Sequence, residues 1–144
     1  MAGGIAAGVV LVLGGNSSAA PTKKQYFARV AAICRLYGSK LDRIAPPADI
    51  AAPGEIVTAV GKALPILRAQ TRAMRALRAP TALRGRVARW LALNDRVVAR
   101  LDDALRAGRL RDIGAMGTAF IRYREAGLAA RRLGAQIGFP RPPC

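Results

Sequence analysis

Cys34 and Cys144 are the two cysteines of a 144-residue chain that contains no histidine. Those two facts exclude much chemistry. Without an imidazole there is no Ser-His-Asp or Cys-His nucleophile pair and no histidine-ligated zinc or haem. Two thiolates also fall short of a four-cysteine zinc site or an iron–sulfur cluster. The eight carboxylates offer little more. Asp102 and Asp103 are adjacent, so on a helix they point about 100° apart instead of facing one substrate. Asp112 and Glu125 stand singly among arginines. With no strand in prospect, no Gly-rich loop is placed to cradle a phosphate. No catalytic residue, metal, cofactor or small-molecule substrate is expected.

Positive charge is what the chain has in excess. Lys and Arg number 24 against 8 Asp and Glu, a net charge of +16, and 20 of the 24 are Arg. Arg68, Arg72, Arg75 and Arg78 step by four, three and three and share one helix face, while Arg89, Arg96 and Arg100 share another. Between Arg68 and Arg111 there are 12 Arg, against Asp95, Asp102 and Asp103. These seven arginines form a candidate anion-binding face for phospholipid headgroups, wall-linked phosphate polymers or nucleic acid. Near an anionic membrane each basic residue adds up to ~1 kcal/mol. The competing account is a solvated coat, which an Ala/Leu core needs in any case and which an arginine-rich genome writes with arginine. Nucleic acid ranks last, because the stripes lack interleaved aromatics for stacking.

Four helices with three short breaks carry these residues. Thr22-Lys23-Lys24-Gln25 fits a capping box. Behind it Tyr26, Val30, Ile33, Tyr37 and Leu41 fall on one face down to about Ile44, where Pro46-Pro47 stops the helix. The second helix starts near Pro53, buries Ile56, Val60, Leu64, Leu67, Met74 and Leu77, kinks at Pro65, and ends at Ala79-Pro80-Thr81. The third runs from about Leu83 to Ala107 with Val87, Trp90, Leu91, Val97, Leu101 and Leu105 inward, and Gly108 is its expected C-terminal cap. The fourth begins between Leu110 and Asp112, turns Ile113, Met116, Phe120, Tyr123, Leu128 and Ile137 inward, and closes at Gly138. Asn94, among apolar neighbours, reads as a polar plug in the core. The Gly134-x-x-x-Gly138 spacing reads as a close helix contact followed by a cap. No stretch has the two-residue period of a half-buried strand. The expected fold is all-α, a single-domain antiparallel up-down four-helix bundle.

The first residues follow another pattern. Ile5 to Leu13 reads IAAGVVLVL, and small residues follow through Ser17-Ser18-Ala19-Ala20. That is the shape of a secretory signal peptide, too short to span a membrane, although Met1 to Gly4 lacks the usual basic residues. Residues 1–19 are therefore assigned to a signal peptide and residues 20–144 to the helical bundle domain. In an exported chain two cysteines and no others suggest a bridge. A Cys34–Cys144 disulfide would tie the extended C-terminal tail to the first helix and constrain a loop of more than a hundred residues, about 4–5 kcal/mol on the chain-entropy model. In the cytosol the alternatives are a buried free Cys34 and a frayed Cys144.

The layout resembles the small exported two-cysteine α-helical proteins of high-GC Gram-positive bacteria. The resemblance is carried by Lys23-Lys24-Gln25-Tyr26-Phe27, by Cys34, by Leu64-Pro65-Ile66-Leu67, by Leu77-Arg78-Ala79-Pro80, and by the segment from Gly138 to Cys144. This chain departs from them in having no lipid-acceptor Cys after the leader and in placing Arg109, not an acid, after Gly108. The resemblance implies an exported helical fold and no particular activity. The expectation is a non-enzymatic structural or protein-interaction module, extracellular or in the cell envelope. The alternative is a basic adaptor on an anionic envelope surface. Nucleic-acid binding requires that the protein not be exported.

Overall fold

The computed structural model describes residues 20–49 and 52–139. The proposed signal peptide and Cys144 lie outside the described residues. Four helices follow one another: α1 (Lys23–Leu41), α2 (Pro53–Ala76), α3 (Arg84–Arg109) and α4 (Ile113–Ile137). A 3-10 turn, Thr81–Leu83, leads into α3. No strand occurs among the described residues. The chain is all-α, as its periodicity predicts.

The helix ends follow from local chemistry. Thr22 Oγ1 accepts from Gln25 N at 3.2 Å, and Thr22 N donates to Gln25 Oε1 at 3.0 Å, completing the capping box. Asp112 Oδ1 accepts from Ala115 N at 2.8 Å and starts α4. Gly138 ends α4 in the left-handed region at φ 90°, and Phe139 N donates back to Gly134 O at 3.1 Å. That turn carries Phe139 into the core. Helix α1 stops at Leu41, three residues before the expected Ile44. In its last turn the Ser39 hydroxyl donates to Leu36 O at 2.9 Å, a side-chain bond of the kind that competes with helix continuation. Pro65 sits inside an unbroken α2, where it leaves the Gly61 carbonyl without its usual donor.

Gly108 corrects the sequence reading. It lies inside α3, which runs on to Arg109, and the chain reverses at Arg111, φ 59°, without a glycine. Arg111 N donates to Gly108 O and Asp112 N to Ala107 O. The glycine is needed for space: a Cβ at position 108 would stand 2.5 Å from Val57 Cγ2 and 3.0 Å from Met116 Sδ. Two apolar positions also differ from expectation. Ile113 is 52% exposed at the α3–α4 tip, and Leu128 is 44% exposed. Leu128 stands about 200° around the helix from Ala130, which belongs to the buried stripe of Met116, Ala119, Ala130, Gly134 and Ile137.

Neighbouring helices run antiparallel. The backbones of α3 and α4 pack most intimately, followed by α2 with α3 and α1 with α2. Helices α1 and α4 have no comparable backbone contact and meet through side chains at one end. There Tyr26, Val30, Met74, Val87, Trp90, Ile137 and Phe139 form an aromatic-rich cluster. Phe139 lies edge-on to Trp90 at 4.8 Å and to Phe27 at 5.3 Å between ring centres. At the opposite end Ala104, Ala107, Met116 and Ala119 make an alanine-rich cluster. Leu64, Leu101 and Leu105 lie between, with Val57, Val60 and Phe120 against them. No residue of α1 belongs to these last two clusters.

Candidate functional site

The arginine face is built on the antiparallel register of α2 and α3. Arg68 pairs with Asp102 at 3.1 Å. One heptad later on α2 and one heptad earlier on α3, Arg75 pairs with Asp95 at 2.5 Å. Asp103 accepts from Arg100 at 2.9 Å and from Arg106 at 2.5 Å. The three acids of this region are thus all held by arginines. Arg68, Arg75 and Arg100 are members of an Arg–Asp ladder along the α2–α3 seam. Arg72, between Arg68 and Arg75 on α2, is exposed, as are Arg78, Arg89 and Arg96. Arg68 and Arg75 stand at exposed positions of the stripe and are nonetheless paired with acids of α3. A single-helix period cannot reveal this, because each bond from α2 depends on the register between two helices.

Two further carboxylates, Glu55 and Asp112, serve the backbone. Glu55 Oε2 accepts from Ala48 N at 2.6 Å and Asp49 N at 3.1 Å, fastening the α1–α2 linker to the first turn of α2. Asp112 caps α4. No group of three or more His, Cys, Asp or Glu able to hold a metal ion occurs among the described residues. No described helix is long and apolar enough to cross a membrane.

Cys34 lies half-buried on α1, packed against the aromatic cluster. It also lines a feature that sequence reasoning missed, a cavity of about 400 Å3 bordered by all four helices. The cavity lies where α1 and α4 diverge. Its apolar wall includes Leu67, Met74, Trp90, Leu91, Val97 and Val98. Gly38 on α1 and Gly127 on α4 line it too, and a Cβ at either would meet nothing within 4 Å. Asn94, the expected plug, lines it and donates to Trp90 O at 2.8 Å. Gln70 is 8% exposed, and its side-chain amide has no hydrogen-bond partner among the described residues. That amide is not sealed in the core; among the described residues the buried side-chain orphan is the Tyr26 hydroxyl. It opens into the cavity that Gln70 lines. Arg124 and Arg131, both exposed on α4, stand at the cavity's edge.

Burial pushes the Tyr26 hydroxyl above its ordinary pKa of 10.0. A buried phenol without a partner loses hydration on ionising and gains nothing in exchange. Tyr26 belongs to the aromatic cluster and reads as core. Comparison of the chain with family models, with curated proteins and with solved structures yields no match in any of the three.

Proposed function

We propose that this protein is an exported, non-enzymatic helical bundle that acts in the cell envelope by binding, as a structural or protein-interaction module. The observation that carries this reading is the employment of its acids. Asp95, Asp102 and Asp103 hold arginines, Asp112 holds a helix end, and Glu55 holds a linker. Carboxylates occupied in this way stabilise a scaffold.

The reading includes a Cys34–Cys144 disulfide. In its support, Cys34 is not a free thiol, and the sequence contains one other cysteine. Cys34 packs against the cluster that contains Phe139, and the five residues from there to Cys144 reach about 17 Å when extended. Export rests on the apolar leader followed by Ser17-Ser18-Ala19. The test is the intact mass of protein recovered from its host's envelope and medium, before and after reduction with thiol labelling. The expected result is a chain starting near Ala20, lighter by two hydrogens, that takes two labels only after reduction. An uncut cytosolic chain with both thiols free overturns the reading.

A second reading, adhesion to an anionic envelope surface, is favoured by the tip between α3 and α4. There Leu110 is 81% exposed between Arg109 and Arg111, with Ile113 beside it. An apolar tip among cations suits an anionic bilayer surface, where insertion and charge attraction add. Co-sedimentation with phosphatidylglycerol vesicles tests it. Binding that collapses at high salt, and on Arg109→Glu with Arg111→Glu, supports adhesion; no sedimentation at low salt overturns it.

A further inference from the structure

The cavity joins three features that a structural core does not need. Its wall is apolar, so a hydrocarbon chain entering it leaves water. Gln70, a mostly buried residue, lines the cavity with an amide that bonds no described residue and is open to solvent there, so a ligand oxygen can take the place of water on it. The edge carries Arg124 and Arg131, neither of them in an ion pair among the described residues. A volume of about 400 Å3 falls at the small end of the range of about 300–1,000 Å3 for ligand sites.

We propose that the cleft between α1 and α4 binds a single-chain amphiphile with an anionic head. The chain lies along Leu67, Trp90 and Val98. The head meets Arg124 and Arg131, and the Gln70 amide donates to an oxygen of the ligand. Cationic groups at the mouth of an apolar chamber select this chemistry: a neutral chain gains nothing from the arginines, and a cationic one is repelled. Gly38 and Gly127 line the cavity, and a Cβ at either would meet nothing within 4 Å, so a large side chain has room there. The site is separate from the arginine ladder and needs no envelope surface.

Trp90 is the single tryptophan and lines the cavity, so its fluorescence reports occupancy directly. The experiment titrates the full chain with dodecanoate and with dodecyl phosphate, each below its micelle concentration, using dodecanol and dodecyltrimethylammonium as controls. The expected result is a saturable change with one or both anions. Tighter binding of dodecanoate identifies a carboxylate head, and tighter binding of dodecyl phosphate a phosphate head. The double variant Arg124→Glu, Arg131→Glu binds about tenfold more weakly or worse. Gly127→Phe fills the chamber and abolishes the signal while its helical circular dichroism persists. Gly38→Phe makes the same test from the opposite wall, should Gly127→Phe fail to fold. No saturable change with either anion overturns the proposal, as does unaltered affinity in a folded Phe variant.

Discussion

The two ends of the bundle are held by opposite means. At the aromatic end, side chains from all four helices converge, and bulk fills the space: Trp90 and Phe139 meet edge-on, with Tyr26, Phe27 and Ile137 around them. At the alanine end, α2, α3 and α4 converge without α1, and near-absence of side chains brings the backbones together: Ala104, Ala107, Gly108 and Ala119. The first arrangement fails when atoms are removed and the second when they are added. Between them, where α1 and α4 diverge, neither device operates, and the chain keeps a cavity.

Substitutions at each end break or sharpen this contrast. Trp90→Ala carries the largest expected effect, a loss of about 3–5 kcal/mol in denaturant unfolding, from a cavity at the centre of the aromatic cluster. A loss below about 1 kcal/mol would show that the cluster collapses around the gap. Next comes Gly108→Ala, where the sign itself is diagnostic. In an unobstructed helix the change stabilises by about 1 kcal/mol. Here the Cβ meets Val57 and Met116, so a destabilisation of about 1–3 kcal/mol is expected, relieved when Val57→Ala is added. Stabilisation by the single change would refute the close-packing account of this end.

Tyr26→Phe sharpens the picture of the aromatic end. Removing a buried hydroxyl without a partner stabilises the fold by about 1 kcal/mol. The change also alters the alkaline limb of the stability curve. Below the ordinary tyrosine pKa of 10.0 the hydroxyl is protonated in folded and unfolded chains alike, and its contribution is constant. Above that value the unfolded chain releases the proton first, so stability falls with rising pH until the raised folded-state pKa is passed. Wild type minus Tyr26→Phe, measured from pH 8 upward, isolates this component; a flat difference would contradict the burial of the hydroxyl. The smallest effect belongs to the ladder: Arg75→Ala costs less than about 1 kcal/mol, because its pair with Asp95 is solvent-exposed. Guanidinium chloride would screen even that, so thermal melts at low and high NaCl are the better measurement.

Helix identity was legible wherever one residue's chemistry sufficed. Thr22 with Gln25, Pro53 at a first turn, Asp112 near a start and Gly138 at an end each act on their own few backbone groups. Trp90, Leu101 and Leu105 were placed inward by period alone, as was Met116. What escaped depends on pairs of helices. Gly108 has the composition of a cap and the function of a contact, and Val57 and Met116 decide between them. Leu128 is apolar but out of phase with Ala119 and Ala130, small residues that attract less notice than leucine and isoleucine. The arginine stripes were visible, while the pairing of Arg68 and Arg75 with acids of α3 required the register of α2 against α3. The cavity was the least legible feature, since it arises between two helices separated by 71 residues of chain.

The seating of Phe139 on Phe27 and Trp90 has a topological consequence. A Cβ at Gly138 would lie 3.7 Å from Lys23 Nζ and from Phe27, so the first turn of α1 and the turn after α4 are spatial neighbours. The folded helices therefore form a closed circuit, and the covalent gap between end and beginning coincides with a short spatial one. Domains whose first and last helices end side by side tolerate relocation of the break. A permuted chain that begins at α2 and returns through a brief linker from α4 into α1 would retain each helix against its present neighbours. Its order of synthesis would differ, and α1 would dock last on a completed three-helix platform.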